Sequence, residues 1–182
     1  MKKIIISFLF LLLAVLPIKV DAKSKVTIYF FRGYNCHYCE ESLEYINKHK
    51  DEIPDNVEIV TYEVWKNENN EKLHQAVIKE LDVNESYKNS VPFLVVGDQY
   101  KVGMEATETD FKKLISMAED ALKSDDYKDV VSKLVKEQNI DVKSITFEDL
   151  YKGPNKTVTI VVYTIFGLVV LGIGAMIIFS RK

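Results

Sequence analysis

Cysteine is scarce in this 182-residue chain: there are two, Cys36 and Cys39, and they stand three apart. That alone excludes a disulfide-stapled scaffold, which needs several bridges spread along the chain. Zinc is disfavoured as well. It needs about four ligands, no second Cys-x-x-Cys or His-x-x-x-His is present, and a site would have to recruit from His37, His49 and His74. Haem attachment requires His directly after the second cysteine, where Glu40 stands. No metal and no separate cofactor is therefore expected. Basic residues are not in excess either: the formal net charge is −3, and setting aside Lys2, Lys3, Lys19, Asp21, Arg181 and Lys182 at the ends makes the remainder more acidic. An acidic chain of this kind is a poor match for nucleic acid or for an anionic membrane surface. Internal repeats and low-complexity tracts are also missing, so one folded domain with accessory segments is expected.

The ends supply the long apolar runs that the middle lacks. Met1-Lys2-Lys3 and the run from Ile4 to Leu16 form a basic and then an apolar region, and Val20 and Ala22 place small residues where a signal peptidase cuts. Residues 1–22 are expected to be a signal peptide, against the alternative of an uncleaved anchor; the run is short for a span and is broken by Pro17. No cysteine lies near the cleavage site, which excludes a lipoprotein anchor. Residues 158–179 are an uncharged stretch of bilayer-spanning length, followed by Arg181 and Lys182. They are expected to be a single transmembrane helix with a cytoplasmic tail, 180–182, and an extracytoplasmic N-terminal domain. Gly167, Gly172 and Gly174 do not make a Gly-x-x-x-Gly pair. The short basic leader and the lysine- and asparagine-rich composition fit the plasma membrane of a Gram-positive bacterium. Asn84-Glu85-Ser86 and Asn155-Lys156-Thr157 would be glycosylation sites in a pathway that uses them.

What the chain does have is a cysteine pair at a junction. The run from Val26 to Phe31 is rich in β-branched and aromatic residues and reads as a strand. From Glu40 to Lys48 good helix formers follow, with acidic residues in the first turn. Cys36 then falls at a helix N-terminus, where free N–H groups and the dipole favour the thiolate. Cys39 can close a disulfide with it and shares a helix face with Leu43 and Ile46. Cys36 reads as the attacking thiol and Cys39 as the shielded resolving thiol. A purely structural bridge over so small a loop would constrain the unfolded chain little, which leaves redox chemistry.

Further on, Asp51 to Asn56 is a turn and Val57 to Trp65 a strand. Asn67 or Asn69 can cap a helix through Leu73, Val77, Ile78 and Leu81. A loop from Asp82 to Asn89 leads to a strand over 90–96 that begins at Pro92, and Gly97-Asp98-Gln99 turns it into a hairpin with Tyr100 to Gly103. Thr107 caps a last helix that buries Phe111, Leu114, Ile115, Ala118 and Leu122. The expected order is β-α-β-α-β-β-α in an α/β fold with a central mixed sheet, over residues 23–124. Residues 125–157 are expected to be a helical extension and linker, with an amphipathic helix over 126–138. His49 and His74 read as surface residues on helices.

The strand, Cys36-His37-Tyr38-Cys39, the helix, and Val91-Pro92-Phe93-Leu94-Val95 some fifty residues later together resemble the thioredoxin and glutaredoxin superfamily, over roughly residues 25–123. That resemblance implies a thioredoxin-like fold, a cis Pro92 packed beside the cysteines, and a Val91 whose backbone pairs with an extended substrate. It implies thiol–disulfide exchange through Cys36 and Cys39 with no cofactor beyond the disulfide itself. Asn35 stands where typical thioredoxins have tryptophan, and the first strand holds no acidic residue to aid proton transfer. Glu40, Glu41 or Glu63 either substitutes or is a solvated surface carboxylate. His37 either stabilises the Cys36 thiolate or simply fills the dipeptide, while Tyr38 is shared with glutaredoxin dipeptides. The expected partners are cysteine-containing exported or membrane proteins, a membrane redox partner that recycles the pair, and the lipid bilayer. The other reading is a non-catalytic thioredoxin-like module that holds a membrane partner through the apolar face at 130–150.

Overall fold

Apolar side chains on both sides of one strand decide the architecture. In a computed structural model, which describes residues 25–152, β1 (Val26–Arg32) takes the centre of a five-stranded sheet. The other elements follow as α1 (His37–Lys48), β2 (Val57–Glu63), α2 (Glu68–Glu80), β3 (Phe93–Val96), β4 (Gln99–Val102), α3 (Glu108–Lys123), α4 (Val130–Glu137), β5 (Ser144–Thr146) and α5 (Phe147–Tyr151). The strand order is β4-β3-β1-β2-β5. β1 and β2 are parallel, Val26 facing Val57, so a crossover is required and α1 supplies it. β3 runs antiparallel to β1 with Phe31 facing Phe93, and β4 folds back on β3 through Gly97, whose φ of +64° suits glycine. This is the thioredoxin-like arrangement that the resemblance implies.

Alternation along β1 divides the core in two. Val26, Ile28 and Phe30 face one layer, where Cys39, Leu43 and Ile46 of α1 and Phe111, Leu114 and Ala118 of α3 cover them. Tyr29 and Phe31 face the other, where Leu73, Val77 and Ile78 of α2 and Val130, Val131 and Leu134 of α4 close over them. Burial of each such side chain contributes roughly 1.5–3 kcal/mol. The helix starts follow the expected chemistry: Asn67 Oδ1 accepts from Asn70 N at 3.0 Å, and Thr107 Oγ1 from Asp110 N at 3.3 Å.

The C-terminal extension is not wholly helical, contrary to expectation. Its helix is shorter than 126–138, because Asp129 caps it by accepting from Ser132 N at 2.9 Å. After it comes β5, an edge strand antiparallel to β2. Only three residues long, exposed, and with Ile145 as its one large apolar side chain, β5 has no alternation to detect. Asn70 and the ladder hold it instead: the Asn70 amide donates to Glu63 O at 2.9 Å and Lys143 O at 2.8 Å, and its oxygen accepts from Lys143 N at 2.9 Å. β3 also starts later than expected, at Phe93, since Val91-Pro92 forms a bend before it. The expected signal peptide, transmembrane helix and tail lie outside the described residues. Among those described, no helix is long and apolar enough to cross a membrane.

Candidate active site

β1 ends at Arg32, and Gly33-Tyr34-Asn35 turns the chain into α1, with Asn35 at a φ of 53° that asparagine tolerates better than most residues. Cys36 is the N-cap of α1, and its Sγ accepts from Cys39 N at 3.2 Å. A sulfur thus stands where Ser, Thr, Asp or Asn usually caps a helix. The sulfur at this position faces the free N–H groups and the positive end of the helix dipole. The two sulfurs are joined in a disulfide, with a Cα–Cα separation of 5.2 Å. Cys36 keeps 7% of its surface exposed against 1% for Cys39, so Cys36 is the more accessible of the two. Cys39 lies in the layer with Leu43 and Ile46, and one turn on the buried Ser42 hydroxyl sits 2.7 Å from Tyr38 O and 2.5 Å from Met104 O. That hydroxyl ties α1 to the segment before α3.

The β1–β3 register brings the second expected element to the same end of the sheet. Val91-Pro92 is a cis peptide, and Pro92 O accepts from Gly103 N at 2.8 Å. Val91 packs, half-buried, against both core layers, including the one that holds the cysteines. Among the described residues, neither its N–H nor its C=O is engaged in a hydrogen bond. His37 and Tyr38 point outward: the His37 side chain is 75% exposed, with Nε2 3.3 Å from Glu41 Oε1, and Tyr38 is 70% exposed. An exposed pair of this kind contributes about 0–1 kcal/mol. Glu40 and Glu41 are at the surface, and Glu63 accepts from the N–H groups of Trp65 and Lys66 at 2.7 and 3.1 Å. None of the three is buried beneath the cysteines.

Two features were not expected. His74 is buried, 2% exposed, with its ring 5.1 Å from that of Phe31 and 5.2 Å from that of Phe93. It shares the inner face of α2 with Asn70, Val77 and Ile78, a spacing of three and four residues that the sequence did contain. Burial pushes its pKa down to about 4, which keeps it neutral near pH 7, and its Nε2 has no hydrogen-bond partner among the described residues. The second feature is a rim of exposed aromatics. Trp65 lies flat against Gly33, where an added Cβ would come within 2.4 Å of its ring, and the Lys66 ammonium sits 5.5 Å above the Tyr34 ring. A groove of about 580 Å³ runs along α1 from Gly33 and includes Cys39 in its wall.

No protein-family model matches the chain, and no curated protein matches it significantly. Among solved structures it is similar to the oxidised form of a DsbA1 point mutant, with 15% identity, coverage of 69% of this chain and 92% of that chain, and a TM-score of 0.33. The thioredoxin-like arrangement rests on this chain's own strand order, its helix-capping cysteine and its cis Val91–Pro92 pair.

Proposed function

We propose that the protein is a thiol–disulfide oxidoreductase that works outside the cytoplasm and is held at the membrane by residues 158–179. The observation that carries this reading is the Cys36–Cys39 disulfide at the N-terminus of α1, with the more exposed sulfur as the helix cap and the other sealed in the core. In the oxidising direction a substrate thiolate attacks Cys36 Sγ, the Cys36–Cys39 bond breaks, and Cys39 leaves as a thiolate that takes up a proton. A second substrate thiolate then attacks the substrate sulfur of the mixed disulfide; Cys36 leaves, the substrate is oxidised and the pair is reduced. In the reducing direction the Cys36 thiolate attacks a substrate disulfide and Cys39 resolves the mixed disulfide. Val91 offers its free backbone groups to the substrate segment beside the sulfur under attack, with Pro92 holding that segment of the loop in place. Substrates are cysteine-containing exported or membrane proteins, and a membrane redox partner restores the pair.

The binding-module reading loses support from the packing: of the apolar face at 130–150 that it requires, Val130, Val131 and Leu134 are buried against the protein's own sheet and α2, and Phe147 is buried in the cysteine-bearing layer. The test is a Cys39→Ala variant in cells. It is expected to accumulate mixed disulfides through Cys36 that thiol reagents release; absence of any such adduct would contradict the proposal.

A further inference from the structure

The groove beside Cys39 has walls of different character. Leu43 and the carboxylates Glu40, Glu41 and Glu44 come from α1, Arg32 and Gly33 from the end of β1, and Leu150 and Tyr151 from α5. α5 is fixed there by Phe147, 5% exposed in the cysteine-bearing layer, and by Thr146 Oγ1, which accepts from Asp149 N at 3.2 Å. Glu41 is paired with His37, whereas Glu40 and Glu44 take part in no ion pair among the described residues. They stand one turn apart, and the charge of both reaches Tyr151, whose hydroxyl pKa is raised first by burial and then by these two carboxylates. Against them stand Arg32, whose Nε is buried and has no hydrogen-bond partner among the described residues, and His37, which is already paired with Glu41.

Resting on the oxidoreductase reading, we infer that this groove selects polypeptide substrates that carry a lysine or arginine close to the reacting cysteine. The side chain's aliphatic stem lies along Leu43, Leu150 and the Tyr151 ring, and its charged head reaches Glu40 and Glu44. Charge complementarity commits the site to a basic segment: an acidic one would meet two unpaired carboxylates beside the redox pair. Selectivity therefore comes from α5, outside the cysteine-bearing helix, and from carboxylates on the helix itself.

The test uses the full-length oxidised protein in neutral detergent and three cysteine peptides, identical except for Lys, Gln or Glu two residues from the cysteine. The readout is the rate at which each peptide thiol opens the Cys36–Cys39 disulfide. At low ionic strength the Lys peptide is expected to react about tenfold faster than the Glu peptide, with the gap closing as salt is added. Glu44→Lys is expected to reverse the order, and Glu40→Gln with Glu44→Gln to bring the ratio of rates towards one. Equal rates for the three peptides in the wild-type protein would overturn the inference while leaving the oxidoreductase reading intact. Failure of every peptide to open the disulfide would overturn both. A preference for Lys that survives Glu44→Lys and the double variant would show that the basic residue is read elsewhere, and would also overturn it.

Discussion

The two faces of the sheet are both closed by buried side chains and are built differently. On the α1/α3 side the layer contains Phe30, Leu94, Phe111 and the cysteines; the Ser42 and Thr61 hydroxyls are buried against backbone carbonyls, and the Tyr127 hydroxyl is buried without a partner among the described residues. On the α2/α4 side the layer contains Tyr29, Tyr62 and His74 among its apolar residues, and one of these, His74, is left with an unpartnered nitrogen. Among the described residues the buried histidine lies on the far side of β1, so its protonation acts on the layer away from Cys39. Phe30 and Phe31, adjacent in sequence and both fully buried, mark the divide.

The largest effects test that divide directly. Phe30→Ala and Phe31→Ala are each expected to cost about 3–5 kcal/mol in denaturant titrations, since each leaves a cavity in a closed layer. They should differ in their consequences: Phe31→Ala lets water reach His74 and flattens the acid limb of the stability profile, while Phe30→Ala leaves that limb and loosens the seat of Cys39. The same flattening in both variants would mean that the layers are not independent.

Next in size is the pH dependence itself. The folded state holds His74 neutral, with a pKa of about 4 against an ordinary 6.5, so the unfolded chain binds the proton more readily. The contribution is present above about pH 6.5 and is lost as pH falls towards 4, amounting to about 3 kcal/mol by the usual conversion. Urea midpoints measured across that window should fall with pH in the wild-type protein and fall less in His74→Leu.

Smaller still are the polar ties on either face. Tyr29 OH lies 2.8 Å from both Asp129 and Ser132 of the segment that starts α4, so Tyr29→Phe should cost about 1–2 kcal/mol. Ser42→Ala, which removes the link from α1 to Met104 O, should cost about 1 kcal/mol and is the cleaner test of whether the α1/α3 face tolerates loss of that tie. Thermal midpoints of the two variants decide whether the ties rank in that order.

The sequence made the cysteine-bearing half of this picture readable. The run from Val26, the acidic first turn of α1, the proline ahead of β3 and the cap at Thr107 are local signals, and local signals place elements. Burial on the far face was harder to read. His74 is itself polar and stands between Leu73 and Gln75, and its spacing to Val77 and Ile78 is the signal that points inward. β5 was unreadable for a different reason: its strand character comes from pairing with the open edge of β2 and from the Asn70 clamp, a contact across 73 residues of chain that no window of sequence contains. The groove has the same origin, because α5 reaches α1 only once β5 is in place.

The central claim is that the Cys36–Cys39 bond is a working redox couple and not a fixed staple. Equilibrating the full-length protein with glutathione or dithiothreitol buffers, and counting free thiols by alkylation, measures its reduction potential. The account predicts a reversible two-electron transition with a midpoint between about −120 and −270 mV, the range of catalytic disulfides, and none in Cys36→Ser. A midpoint below about −300 mV, where structural disulfides lie, would contradict it.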